Sequence, residues 1–165
     1  MSDQQFGKKE VERDELYPFI ESYNYITGEN LSAICDGESP DFICSRSSGK
    51  KVGIELTKIT GSPEAFDVLS RIYNLIENKK TKVSKYAEQV KDNMLVLQLV
   101  VGSLDSLIPF LEGLENDYTD HKFCEVWIAD YSVLDAFGVV DLFGLYPKVW
   151  WGYHQPPPVS SKPYG

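Results

Sequence analysis

The sequence of 165 residues has no apolar run approaching the roughly 18 residues that a membrane-spanning helix needs. Cysteine is scarce: Cys35, Cys44 and Cys124 are odd in number and lie in strand-like apolar runs. This pattern favours buried thiols in a reducing compartment over a disulfide framework or a zinc site. Residues 1–15 are too polar for a signal peptide, so we expect a cytoplasmic protein with no membrane partner.

Positive charge is also in short supply, because 16 lysines and arginines stand against 25 aspartates and glutamates, for a net charge of −9. Proteins that bind nucleic acid neutralise its phosphates with lysine and arginine. A nucleic-acid partner would therefore require a local basic patch or bound metal ions. The main basic concentration is the segment NKKTKVSK, which supplies the candidate nucleic-acid-binding residues Lys79, Lys80, Lys82 and Lys85. The alternative, which the pattern alone favours, is a solvated helix face.

Apolar residues make up 42% of the chain, which is enough for one globular domain with a real core. Hydrophobic periodicity predicts the order helix, three strands, helix, strand, helix, strand. We therefore expect one α/β domain over residues 1–137, a three-layer sandwich whose mixed central sheet is flanked by helices. Residues 138–165 are rich in aromatics and proline and are expected to pack on this domain as a tail. Dimerisation, or stacking against bases, are the alternatives for the tail segment WWGYHQPPP.

A β-hairpin is predicted over residues 39–59, SPDFICSRSSGKKVGIELTKI. A three-residue turn that ends at Gly49, in the left-handed conformation, sets the register of the two arms. Phe42 then stands opposite Ile54 on an apolar face, and Asp41 stands opposite Glu55 on the other face. The register therefore predicts two neighbouring carboxylates in an otherwise apolar pair of strands.

Two carboxylates in directly opposed positions, with Cβ atoms about 5 Å apart, repel each other unless something neutralises them. A divalent cation does so, and Mg²⁺ is typically held by one or two carboxylates together with water and phosphate oxygens. Gly53, on the same face, would leave space beside the pair for a ligand. In the alternative interpretation, which spacing alone favours, Asp41 points to solvent and Glu55 pairs with a lysine.

The segment PDF at 40–42, followed by GIELTK at 53–58, resembles the PD-(D/E)xK nuclease superfamily, which has the restriction-endonuclease-like fold. The family core is a helix, a three-strand meander, a helix and a further strand, with acids on the second and third strands. The element order predicted here is similar over residues 10–131. The resemblance implies a nuclease that depends on Mg²⁺ or Mn²⁺, in which the metal activates water for in-line attack on a phosphodiester.

Carried over by position, the resemblance makes Asp41 and Glu55 the catalytic, metal-binding carboxylates and the Leu56 carbonyl a further metal ligand. In the family an acid of the first helix often joins them. Glu15 is our choice for that ligand, and Glu12 and Glu21 are the alternatives.

The sequence departs from the family pattern at the lysine that follows the glutamate by two residues. That position is Thr57, and strand alternation predicts that Lys58 points to the opposite face. Three substitutes for the missing lysine are a bulge at 56–58 that turns Lys58 inward, a lysine of the following helix (Lys82 or Lys85), or Gln98. For Gln98, the alternative is a hydrogen-bonded glutamine in the core.

Three classes of function are open at this point. The acids favour a metal-dependent nuclease acting on DNA or RNA. The threonine at position 57 and the net charge favour a catalytically inactive binding or regulatory protein of the same fold, with an immunity-like protein partner. The acidity would also suit a metal-dependent phosphohydrolase that acts on small nucleotides. The oligomeric state is open, and a dimer is one of the alternatives.

Overall fold

The computed structural model describes residues 2–36, 40–88 and 90–157, with the side chains of residues 2–9 and of Ile34 left aside. The helices are α1 (Ser2–Thr27), α2 (Ala65–Lys80), α3 (Val83–Tyr86), α4 (Leu104–Leu111) and α5 (Leu134–Phe137). The strands are β1 (Ser32–Asp36), β2 (Phe42–Ser45), β3 (Lys51–Ile59), β4 (Asp92–Leu99), β5 (Glu125–Asp130), β6 (Asp141–Tyr146) and β7 (Gly152–His154). Within the described residues, no helix combines the length and apolar character needed to span a bilayer.

The seven strands form one open mixed sheet in which their spatial order equals their order in the chain. The first three strands make an antiparallel meander, β3, β4 and β5 run parallel, and β6 and β7 return antiparallel. Parallel neighbours need long crossover connections, and α2 with α3, and then α4, supply them. The α/β class and the mixed sheet flanked by helices are thus confirmed.

The helices cover both faces of the sheet and bury two separate cores. The first core lies between α1 and one face, where Leu16 and Phe19 pack with Ile54. The second lies between α2, α4 and the opposite face, where Ile72 packs with Leu97. Strand β4 is buried along almost its whole length, as expected of a central strand covered on both sides. We call the two sides of the sheet the α1 face and the α2 face.

The predicted hairpin register is confirmed. Phe42 pairs with Ile54, and Cys44 pairs with Val52. Gly49 has φ of 87°, and the turn closes with a 2.8 Å hydrogen bond from the Arg46 amide to the Lys50 carbonyl. The register therefore follows from local turn chemistry and the period-2 apolar pattern, before any contact with the rest of the molecule is considered.

The sheet continues beyond residue 137, where we expected the domain to end and the tail to begin. Residues 141–154, expected in the tail, add strands β6 and β7 and bury Leu142 and Leu145. The aromatic and proline-rich composition of this region obscured a short buried strand. The last part of the predicted tail, residues 158–165, lies outside the described residues.

Candidate functional site

Asp41 and Glu55 lie side by side on the α2 face, as the hairpin register predicts. The amide of Asp41 donates a hydrogen bond to Glu55 Oε1 at 3.3 Å, and the amide of Leu56 donates to Asp41 Oδ2 at 2.9 Å. Glu55 is 6% exposed and Asp41 is partly buried. Two carboxylates therefore share one poorly solvated position at the junction of β2 and β3.

Lys79, in the last turn of α2, supplies the positive charge next to these acids. Its Nζ donates to Glu55 Oε2 at 2.6 Å, and the two side chains are 19% and 8% exposed. An ammonium in contact with one carboxylate relieves the repulsion between the two, and exclusion of water strengthens the attraction. The alternative interpretation was thus correct in pairing Glu55 with a lysine, although Asp41 turns towards the same cluster and not away from it.

Tyr86, at the end of α3, lies against the same cluster. Its hydroxyl interacts with the Glu55 carboxylate, and the residue is 2% exposed. Burial, together with the negative charges of Glu55 and Asp41, raises the pKa of Tyr86. The hydroxyl therefore stays protonated and is available as a donor beside the Glu55 carboxylate.

Thr57 follows Glu55 on the same face, at the position where the PD-(D/E)xK pattern has its lysine. Its Oγ1 is buried and makes no hydrogen bond to any described residue. Strand β3 pairs with β4 in unbroken register from Val52 to Ile59, so the bulge considered at 56–58 is absent from this described strand. Thr57 therefore flanks the acids without contributing charge.

Lys58 and Glu15 lie on the α1 face, away from the two acids. Regular strand alternation sends the Lys58 side chain to that side, where its Nζ is 3.1 Å from Glu15 Oε2. Their assignment to the acid site is therefore wrong. Because α1 covers the opposite face, the alternatives Glu12 and Glu21 do not supply a third acid either. No group of three or more histidine, cysteine, aspartate or glutamate residues with metal-binding geometry occurs among the described residues.

Gln98 also lies on the α1 face, which excludes it as a substitute for the family lysine. Gln98 lies on β4, where it pairs with Lys58 of β3, and it is 2% exposed. The residue of β4 that pairs with Glu55 is Leu95. Gln98 follows Leu95 by three residues, so strand alternation makes the side chains of Glu55 and Gln98 project from opposite faces. The packing of α1 and α2, and not the polarity of Gln98, decides which polar group can reach the acids.

The basic segment does not form a single patch. Lys79 turns inward to Glu55, whereas Lys80 contacts Asp120 at 3.0 Å and Glu77 at 2.9 Å. Lys82 and Lys85 are exposed to solvent. Of these four lysines, the structure brings Lys79 alone to the acids, although the sequence analysis offered Lys82 or Lys85 for that place.

Gly53 does not leave room for a ligand, because the chain itself fills the space. A Cβ atom at this position would lie 2.2 Å from Asn93 Oδ1 and 2.5 Å from the Cγ of Pro40. Asn93 is 1% exposed, and its Nδ2 donates to the Val90 carbonyl at 2.8 Å. Its Oδ1 accepts no hydrogen bond from the described residues. A buried oxygen without a donor therefore lies beside the segment that carries Asp41.

Asp41 and Glu55 are the residues of this cluster that could hold a small divalent cation. Two adjacent carboxylates are the protein ligands that Mg²⁺ commonly takes, with water completing the coordination. The Leu56 amide points to Asp41, and in a strand the N–H and C=O of one residue point to the same side, so the Leu56 carbonyl faces Asp41 too. Lys79 occupies one oxygen of Glu55. The site therefore has carboxylate and carbonyl oxygens for a cation, together with an ammonium already in contact with one of them.

Sequence reasoning missed the roles of Lys79, Tyr86 and Asn93. A signal for Lys79 was present, since it lies three residues after Ile76 and seven after Ile72, on the buried stripe of α2. A lysine on an apolar helical stripe requires a buried anion as partner.

No protein family model matches this sequence, and comparisons with curated proteins and with solved structures found no similar protein.

Proposed function

We propose that this protein is a Mg²⁺-dependent nuclease with a restriction-endonuclease-like fold, which hydrolyses phosphodiester bonds in DNA or RNA. The observation that carries the proposal is the contact of Lys79 with Glu55 at 2.6 Å, directly beside Asp41. An acid pair and a lysine are the three parts of the PD-(D/E)xK pattern. Here the lysine comes from the helix after the meander and not from the strand.

The topology supports the same proposal. Helix α1, the antiparallel meander β1 to β3, helix α2 and the parallel strand β4 follow in the family's order. Asp41 lies directly before the second strand of the meander, and Glu55 lies in the third.

In this mechanism Asp41, Glu55 and the Leu56 carbonyl would hold the metal. When bound, the metal would activate a water molecule and stabilise the charge that develops on the phosphate. Tyr86 fixes the orientation of Glu55 through its hydroxyl. Lys79, with its ammonium next to the acids, neutralises one phosphate oxygen of the substrate. The exposed Lys82 and Lys85, a few residues further along the chain, provide charge for the neighbouring phosphates.

The test is cleavage of single- and double-stranded DNA and RNA, and of mononucleotides, with Mg²⁺ or Mn²⁺. We expect polymer cleavage that EDTA abolishes and that Asp41→Asn, Glu55→Gln and Lys79→Met each reduce to background. Lys58→Met is the matched control, because it removes a lysine from the other face of the sheet and should leave cleavage unchanged. Hydrolysis of mononucleotides alone would replace the nuclease by a small-nucleotide phosphohydrolase.

A second candidate is the inactive binding or regulatory protein of the same fold. It is favoured by the observation that protein groups already satisfy Glu55, since the Asp41 amide and Lys79 each donate to one of its oxygens. An acid pair that serves only the fold would give no cleavage on any substrate. It would also give no saturable Mg²⁺ or Mn²⁺ binding that depends on Asp41.

A further inference from the structure

Lys79 and a metal ion would compete for the same atom. The ammonium lies 2.6 Å from Glu55 Oε2, while Glu55 Oε1 accepts the Asp41 amide. Mg²⁺ binds oxygen at about 2.0–2.1 Å and carries two positive charges. A cation bridging Asp41 and Glu55 would therefore lie within a few ångströms of the ammonium, in a position where little water screens their repulsion.

The Lys79 side chain has a route away from Glu55 when a metal displaces it. Its side chain is 19% exposed, so a route to solvent exists along the end of α2. Helix α2 ends at Lys80, and the carbonyls of the last turn give this end a partial negative charge that favours an ammonium. The flexible four-carbon stem of lysine can move Nζ by several ångströms without a change in the backbone.

We propose that Lys79 is the resident counter-ion of the acid pair and that it and a divalent cation exclude each other at Glu55. Metal binding releases the ammonium, which then faces the site as a free cation for a phosphate group. The order of binding is thus metal first and phosphodiester second. This inference rests on the proposed function, because it requires that the acids bind a metal.

The experiment is calorimetric titration of the folded protein with Mn²⁺ and with Mg²⁺, without substrate. Lys79→Met removes the competing charge and retains the stem, so metal affinity should rise by at least about tenfold. This estimate follows from the size of the effect of an opposite charge at this distance, which commonly shifts the pKa of a carboxylate by about one to three units. Lys79→Arg keeps the charge and should retain weak binding. Lys80→Met is the matched control: it removes the neighbouring lysine, which contacts Glu77 and Asp120, and should change the affinity much less.

A second readout follows the ammonium of the unaltered protein by NMR. The Lys79 ammonium protons, assigned by their loss in Lys79→Met, should be protected without metal and should exchange rapidly with water when metal saturates the site. A protected Lys79 signal at saturation, or an affinity in Lys79→Met equal to or below that of the parent, would overturn the exclusion while leaving metal binding intact. If neither parent nor Lys79→Met binds metal while both are folded, the proposed function fails and the inference falls with it.

Discussion

The ion pair between Lys79 and Glu55 should be one of the strongest single polar contributions to stability in this protein. Truncating one partner of a fully buried pair typically costs about 3–5 kcal/mol, because it leaves an uncompensated charge. Here Lys79 retains some exposure, and Glu55 still accepts a hydrogen bond from the Asp41 amide and lies near the Tyr86 hydroxyl. We therefore expect Lys79→Met to lower the free energy of unfolding by about 2–3 kcal/mol.

The assay is a double-mutant cycle of Glu55→Gln and Lys79→Met, measured by urea unfolding at pH 7 without divalent metal. The coupling free energy should be about 1.5–3 kcal/mol, because each single variant leaves a charged or polar group without its partner. A second cycle on Lys80 and Asp120 is the control, since the Asp120 side chain is 91% exposed and surface pairs contribute little. If the coupling of Lys79 with Glu55 is no larger than that of the control pair, the argument from burial is refuted.

Three further predictions concern single positions. Tyr86→Phe removes the hydroxyl that orients Glu55, so metal affinity or cleavage should fall by about 10- to 100-fold, while thermal unfolding shows that the fold is retained; unchanged values would refute the orienting role. Gly53→Ala forces a Cβ against Asn93 and Pro40 and should lower the free energy of unfolding by at least about 1–3 kcal/mol in urea. Adding Asn93→Gly should restore part of that loss, and no recovery would argue against this contact. Burial raises the pKa of Asp141, so the folded protein binds a proton at this position more tightly than the unfolded protein does. The stability that this proton contributes is therefore present at low pH and lost as pH rises. Asp141→Asn should therefore gain stability relative to the parent between acidic and neutral pH in urea unfolding; a constant difference would contradict the raised pKa.

The hairpin and the site differ in how far they can be predicted, and the reason is the range of the interactions involved. Gly49 and the alternation of apolar residues are local signals, so the pairing of Phe42 with Ile54 and the proximity of Asp41 to Glu55 follow from sequence. The side to which Lys58 points also follows from the strand period. The α/β class follows from element order, because the segments between parallel strands must cross a face of the sheet.

The residue that joins Asp41 and Glu55 could be identified only from the tertiary structure. The family resemblance led us to place Glu15 with the acids, but α1 packs on the opposite face and Glu15 pairs with Lys58 instead. Sequence also suggested Lys82 or Lys85, whereas the rotation of α2 about its axis brings Lys79 inward. Such choices depend on which helix covers which face and at what rotation, and these are set by side-chain packing between segments far apart in the chain.

By itself, the sequence determined that Asp41 and Glu55 lie opposite each other, because the hairpin register depends on short-range geometry. It also showed that position 57 is a threonine and not a lysine. Only the tertiary structure decided that the compensating charge is Lys79, that Tyr86 lies beside Glu55, and that Asn93 fills the space beside Gly53. Each of these contacts joins a residue of β3 to a residue at least 24 positions away in the chain. The nearest-neighbour pattern of a strand cannot specify them. Lys79 and Tyr86 reach Glu55 because their helices pack against the sheet, whereas Asn93 lies opposite Gly53 because β4 pairs in parallel with β3.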